Sequence, residues 1–227
     1  MKCSFLAVLI VALALVVQTA NADIISCDFA SETGASIKFT GTGDKIEFPN
    51  TSTYDFVITA ATSPTLGGLQ GNIGGVLTVG AISIPYPGFE YATVTSSGGT
   101  FSVNDGTANP LTNTLTADLD WKDILVANSL FGFMNLTGIA NLSNANYSGS
   151  NSDLLGIKNG TDQTVVLSFQ FLPPKSLAKL MENGQVNSTS YSGSLSAVPE
   201  PSSCVLLGMA GLGLLAYAWR RRRRAAM

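Results

Sequence analysis

Apolar and polar positions alternate with period two in several separate runs between residues 23 and 196. Leu111, Leu115, Ala117, Leu119 and Trp121 share one parity, while Thr112, Thr114, Thr116, Asp118, Asp120 and Lys122 share the other. Successive side chains of a strand point to opposite faces, so this run predicts a long strand with one wet face. Val165, Leu167, Phe169 and Phe171 repeat the pattern, as do Tyr54, Phe56 and Ile58, then Ile37 with Phe39, and Ile46 with Phe48. Turn signals punctuate the runs at Gly41-Thr42-Gly43-Asp44, Asp105-Gly106 and Asn159-Gly160. Short strands joined by short turns predict an all-β ectodomain, an antiparallel, jelly-roll-like β-sandwich. A single short helix is expected: Pro173-Pro174 opens it, Leu177, Leu180 and Met181 form its apolar stripe, and Gly184 closes it. Ser188–Leu195 reads as a last strand. The glycine cluster from Gly67 to Gly75 has neither GxGxxG spacing nor a following Lys-Ser/Thr, so it reads as a flexible inter-strand loop and not a phosphate cradle.

The two ends break the alternation. Lys2 precedes an unbroken apolar run, Phe5–Val17, and Ala20-Asn21-Ala22 supplies a small-x-small cleavage pattern. This predicts a signal peptide over 1–22, recognised by the translocon and cut by signal peptidase after Ala22. The exported domain then runs over 23–196. At the other end, Ala197-Val198-Pro199-Glu200-Pro201-Ser202-Ser203 leads into a stretch without charge that lasts until Arg220. As a helix, residues 201–219 reach roughly 28 Å at about 1.5 Å per residue, near a bilayer's hydrocarbon thickness. A transmembrane helix is therefore expected over 204–219, with Tyr217 and Trp219 at an interface. Arg220, Arg221, Arg222, Arg223 and Arg224 follow, and their charge holds the 220–227 tail on the cytoplasmic side with the domain outside.

The order Val198-Pro199-Glu200-Pro201, then a short glycine-containing span, then a terminal arginine cluster resembles the PEP-CTERM sorting signal over residues 198–224. Residues 197–203 carry its Pro-Glu-Pro part. The resemblance implies an exosortase partner, a membrane-embedded, cysteine protease-like sortase that cuts near Pro199-Glu200-Pro201. The chain would be anchored transiently in the inner membrane, then moved to the cell surface or released. Prolines suit a protease substrate because they keep the segment extended and unpaired.

Composition narrows the chemistry. Residues 23–198 hold six basic and fourteen acidic side chains, an acidic surface that repels nucleic acid. The chain has no histidine, which removes the commonest general base and transition-metal ligand. Of three cysteines, only Cys27 lies in the domain, so no disulfide framework exists. Ile25-Ser26-Cys27 loosely matches a lipidation site, but polar residues from Gln18 to Asp23 separate it from the apolar run, which favours a buried or free thiol.

Asp118, Asp120 and Asp123 form the strongest carboxylate cluster. Asp118 and Asp120 share a strand face, about 7 Å apart over two steps of about 3.4 Å. Such a group is a candidate Ca²⁺ seat or the acid/base pair of a glycosidase; a solvated strand face explains it as well. No cofactor is otherwise indicated. Pro85-Tyr86-Pro87-Gly88-Phe89 places aromatics near a turn, suited to stacking on sugars or to anchoring a core. Six Asn-x-Ser/Thr sequons, at Asn50, Asn135, Asn141, Asn146, Asn159 and Asn187, arise easily in so Asn-, Ser- and Thr-rich a chain.

Two functional classes follow. The first is a non-enzymatic surface or matrix protein: structural, adhesive or binding extracellular polysaccharide. It rests on the lack of histidine and of any catalytic motif, and on polar, uncharged strand faces. The second is a secreted carboxylate-dependent hydrolase acting on polysaccharide, with Asp118, Asp120 or Asp123 as acid and base.

Overall fold

Strand β8 (Thr114–Asn128) buries Leu115, Ala117, Leu119 and Trp121 and turns Thr116, Asp118 and Asp120 to solvent. The parity then changes. A bulge between Trp121 and Asp123 adds one residue, so Ile124 and Val126 carry the buried face onward. The computed structural model describes residues 24–49, 53–106, 113–128, 134–199 and 213, so Leu111 falls outside. Ile24–Val198 forms one folded unit.

The other strands are β1 (Ile25–Ser31), β2 (Ile37–Thr40), β3 (Lys45–Glu47), β4 (Phe56–Ala61), β5 (Gln70–Val79) and β6 (Ser83–Tyr86). They are followed by β7 (Phe89–Asn104), β9 (Met134–Asn146), β10 (Gly160–Gln170), β11 (Val186–Thr189) and β12 (Tyr191–Pro199). The strands pair antiparallel, for example Ile25↔Ala197 in β1–β12 and Thr164↔Asn141 in β10–β9. The all-β, antiparallel class therefore holds. The two-sheet layering does not: hydrogen bonds join the strands into one twelve-stranded sheet, β11-β2-β3-β5-β4-β1-β12-β10-β9-β8-β7-β6. A further pairing, β5–β7, closes β5-β4-β1-β12-β10-β9-β8-β7 into a ring. Closure is possible because β5 divides one edge between β4, at Gln70 and Gly71, and β3, at Val76 to Thr78, leaving the other edge for β7.

The glycine cluster makes the closure. Gln70–Val79 is a strand, not a loop. A Cβ on Gly71 would stand 2.1 Å from the Ser102 carbonyl oxygen and 2.4 Å from the Phe56 ring. Gly75 (φ 117°) faces Gly99 so closely that a Cβ would meet its Cα at 2.7 Å, at the register shift between Gly74 and Val76. A side chain at Gly75 would prevent that approach.

One hydrophobic core fills the sheet. Phe29 of β1, Phe56 of β4 and Phe101 of β7 meet at centroid distances of 4.7, 5.4 and 6.2 Å. Phe39 of β2 packs on Phe169 of β10 at 5.3 Å, and Phe48 stacks on Trp121 at 5.8 Å. Fully burying each such ring contributes about 1.5–3 kcal/mol.

Among the described residues two helices interrupt the strands of the domain, where one was expected. In α1 (Ser152–Asn159), the Asn151 side chain caps the N-terminus by accepting from the Asp153 and Leu154 amides, and Leu154 and Ile157 face the core. Asn159-Gly160 therefore ends a helix and starts β10; it is not a hairpin turn. In α2 (Leu177–Leu180), Ser176 is the cap and Leu177 and Leu180 are buried. The buried Glu90 of β7 reaches across to accept hydrogen bonds from the Leu177 and Ala178 amides. The expected strand at 188–195 is two, β11 and β12, broken at Ser190.

Candidate functional site

Pro87 and Gly88 turn β6 into β7 with two residues, and Gly88 takes φ 85°. Proline pre-sets the first turn position and glycine accepts the left-handed second one. The turn sets Tyr86 opposite Phe89, edge to face at 6.3 Å. Alternation along β7 then buries Glu90, Ala92 and Val94 and turns Phe89, Tyr91 and Thr93 outward.

Register carries this outer face across the sheet. Tyr91 lies opposite Leu125 on β8; Thr93 lies opposite Asp123, which lies opposite Ile139 on β9. Tyr86 is 68% exposed, and Phe89, Tyr91, Leu125 and Ile139 are each 37–41% exposed. The result is an apolar, mainly aromatic strip on the wet side of an otherwise Thr-, Ser- and Asn-rich sheet. The Tyr91 hydroxyl donates to the Asp123 carboxylate. That hydrogen bond, with some burial and the nearby negative charge, pushes the Tyr91 phenol up and keeps it protonated and donating.

The structure divides the three aspartates. The bulge at Trp121/Asp123 places Asp123 beside Tyr91, while Asp118 accepts from Asn144 Nδ2 at 2.8 Å and Asp120 lies opposite Asn141. Among the described residues no group of three His, Cys, Asp or Glu side chains could hold a metal ion. Asp118, Asp120 and Asp123, the candidate Ca²⁺ seat, do not form such a group of three. The structure instead joins two features far apart in sequence, the Tyr86/Phe89 hairpin and Asp123, through Tyr91, which alternation alone did not single out.

Other candidates resolve into packing. Cys27 is buried in β1, and burial pushes its thiol up to about 12. Asn187 is buried and accepts from Lys175 Nζ, whereas Asn141, Asn146 and Asn159 are exposed. Val198 and Pro199 end β12. Ala20, Ala22, Glu200, Pro201 and Arg220 to Arg224 lie outside the described residues, as do the leader and the 204–219 span apart from Gly213. Among the described residues no helix is long and apolar enough to cross a membrane.

Comparison with protein families matches residues 197–223 to the PEP-CTERM protein-sorting motif. The tail therefore marks an exported chain sorted at a membrane, with an exosortase as its processing partner. Neither curated proteins nor solved structures match the chain.

Proposed function

We propose that this is a non-enzymatic component of the bacterial cell surface or extracellular matrix, which binds extracellular polysaccharide on the outer face of β6–β9. Its leader is removed after Ala22, the 204–219 span anchors it with the domain outside, and exosortase acts at the Pro-Glu-Pro segment. The observation that carries the binding role is the exposed strip of Tyr86, Phe89 and Tyr91 beside Asp123.

Pyranose rings present apolar C–H faces that pack on aromatic faces, and their hydroxyls need donors and acceptors at the rim. Tyr91 and Asp123 supply both kinds of group, preordered by their mutual hydrogen bond. A sheet face positions them more rigidly than a loop. Asp118 and Asp120 stand on an open, exposed strand surface, which suits a solvated role better than the water-excluding cleft a glycosidase needs.

The test is a polysaccharide array probed with the exported protein purified from its host, beside a turnover assay on the same panel. Binding without turnover is the expected result. Tyr86→Ala and Phe89→Ala each lower affinity several-fold; about 1.4 kcal/mol of lost contact corresponds to tenfold. Turnover abolished by Asp120→Asn overturns this reading in favour of the hydrolase.

A further inference from the structure

Lys38 and Lys179 meet carboxylates and Lys158 meets a backbone carbonyl, but Lys175 meets a buried side-chain amide. Its Nζ donates to Asn187 Oδ1, 12 positions on. Asn187 is 8% exposed, and its Nδ2 is buried without a hydrogen-bond partner among the described residues. A nucleophilic amine thus lies against the carbonyl of an amide whose nitrogen nothing holds. We propose that Lys175 and Asn187 join in an intramolecular amide bond, with Glu90 as the base that frees the amine.

Separate devices hold the two partners. The β11–β2 register sets Asn187 opposite Phe39, with the exposed Val186 and Ser188 on either side of it along the strand. The Thr189 hydroxyl donates to the Gln170 carbonyl at 2.6 Å, which ties the same strand to β10. Lys175 precedes Ser176, the N-cap of α2, whose hydroxyl accepts from the Lys179 amide at 3.1 Å. Glu90 Oε2 accepts from the Leu177 and Ala178 amides, just past Lys175 in the chain. Fixing amine and carbonyl against each other removes the entropy cost of their encounter. The hydrogen bond to Oδ1 also draws electrons from Cγ, the carbon to be attacked.

Buried unpartnered groups are rare enough to need a cause. Here the reaction supplies one, because it expels Nδ2. A lysine enters as the ammonium and must first give one proton to a base. Glu90 suits that role: it is a buried carboxylate of β7 already bonded to this segment. Nζ then bonds to Asn187 Cγ and the Cγ–Nδ2 bond breaks. Nδ2 departs with a second Nζ proton as ammonia, which takes up the proton held by Glu90 and leaves as ammonium. One amide is exchanged for another, and nothing is oxidised or reduced. The new bond ties β11, an end strand of the sheet order, to the segment that enters α2.

The experiment is peptide mass spectrometry on the exported protein purified from its host. Lys179 lies between the two residues, so trypsin separates them unless they are bonded. The expected product is a branched peptide joining Lys175 to Asn187, at the summed mass of its two arms less one ammonia. Lys175→Ala and Asn187→Ala each abolish it. In Glu90→Gln the side-chain carbonyl still accepts from the Leu177 and Ala178 amides, so circular dichroism stays that of the parent while the branched peptide falls at least tenfold. Linear peptides over both residues in the parent overturn the proposal. Ammonia loss confined to a linear peptide, as a cyclised Asn187 would give, overturns it too. A branched peptide that persists in Glu90→Gln overturns the part assigned to Glu90.

Discussion

Asp55 is the least comfortable side chain in the core. It is 3% exposed; its Oδ2 accepts from the Ile73 amide at 3.2 Å, and its buried Oδ1 has no partner among the described residues. Burial pushes the carboxyl above its ordinary 3.8, with the Ile73 hydrogen bond opposing. The folded protein therefore holds this proton to higher pH than the unfolded chain does. The group's contribution is most favourable below about pH 3.8 and is lost as pH rises through the folded value. Asp55→Asn removes that loss. The variant's stability should rise relative to the parent's between pH 4 and pH 7, read as the difference in urea midpoints. A difference that does not change with pH would mean the carboxyl is not desolvated. The sequence did not mark Asp55: it sits between Tyr54 and Phe56 in an alternating run, where its parity alone placed it outside.

At the scale of elements, α2 depends on a partner far away in the chain. Four residues are too few to hold a helix by their own hydrogen bonds. Ser176 caps it locally, and Glu90 takes the Leu177 and Ala178 amides from 87 and 88 residues away. Glu90→Ala should cost about 1–3 kcal/mol, since it leaves buried amides unpaired. Hydrogen exchange should localise the loss, with the amides of residues 177–181 released before those of β7. Uniform loosening across the sheet would contradict the clamp. The apolar spacing of Leu177 and Leu180 made α2 legible, although Ser176 opens it and Met181 ends it, not Pro173-Pro174 and Gly184. The other helix, α1, was not, because Asn151-Ser152-Asp153 reads equally well as a loop rich in Asn and Ser. Its cap works only once Leu154 and Ile157 find a core to cover.

For the whole molecule, closure decides where the sheet is weak. The ring strands have partners on both sides, while β6 and β11 stand at the two ends of the strand order. Native-state amide exchange should therefore be slowest in β1, β10 and β12 and fastest in β6 and β11. Slow exchange in β6 would show that another surface covers that edge. Pro85 and Pro87 at β6 remove donors from an edge that would otherwise invite pairing with a second chain.

By itself the sequence determined whatever is local or contiguous. Period-two alternation is a property of neighbouring residues, so the strands around Phe39, Ile46, Phe56, Leu119 and Leu167, and with them the antiparallel β class, could be read directly. The sorting tail was readable for the same reason, since its parts follow one another without a gap. Only the tertiary structure decided what depends on residues distant in the chain. One sheet formed where two were expected, because Gly71 and Gly75 let β5 approach β7, and a glycine's empty space has meaning only when the facing backbone is known. Tyr91 met Asp123 because a hairpin, a register and a one-residue bulge bring together side chains 32 positions apart. The bulge also turned Asp123, which simple alternation places on the opposite face from Asp118 and Asp120, to the outer side. A slip of one residue inverts a strand's faces, and no pattern read along a single strand reveals where its neighbour imposes that slip.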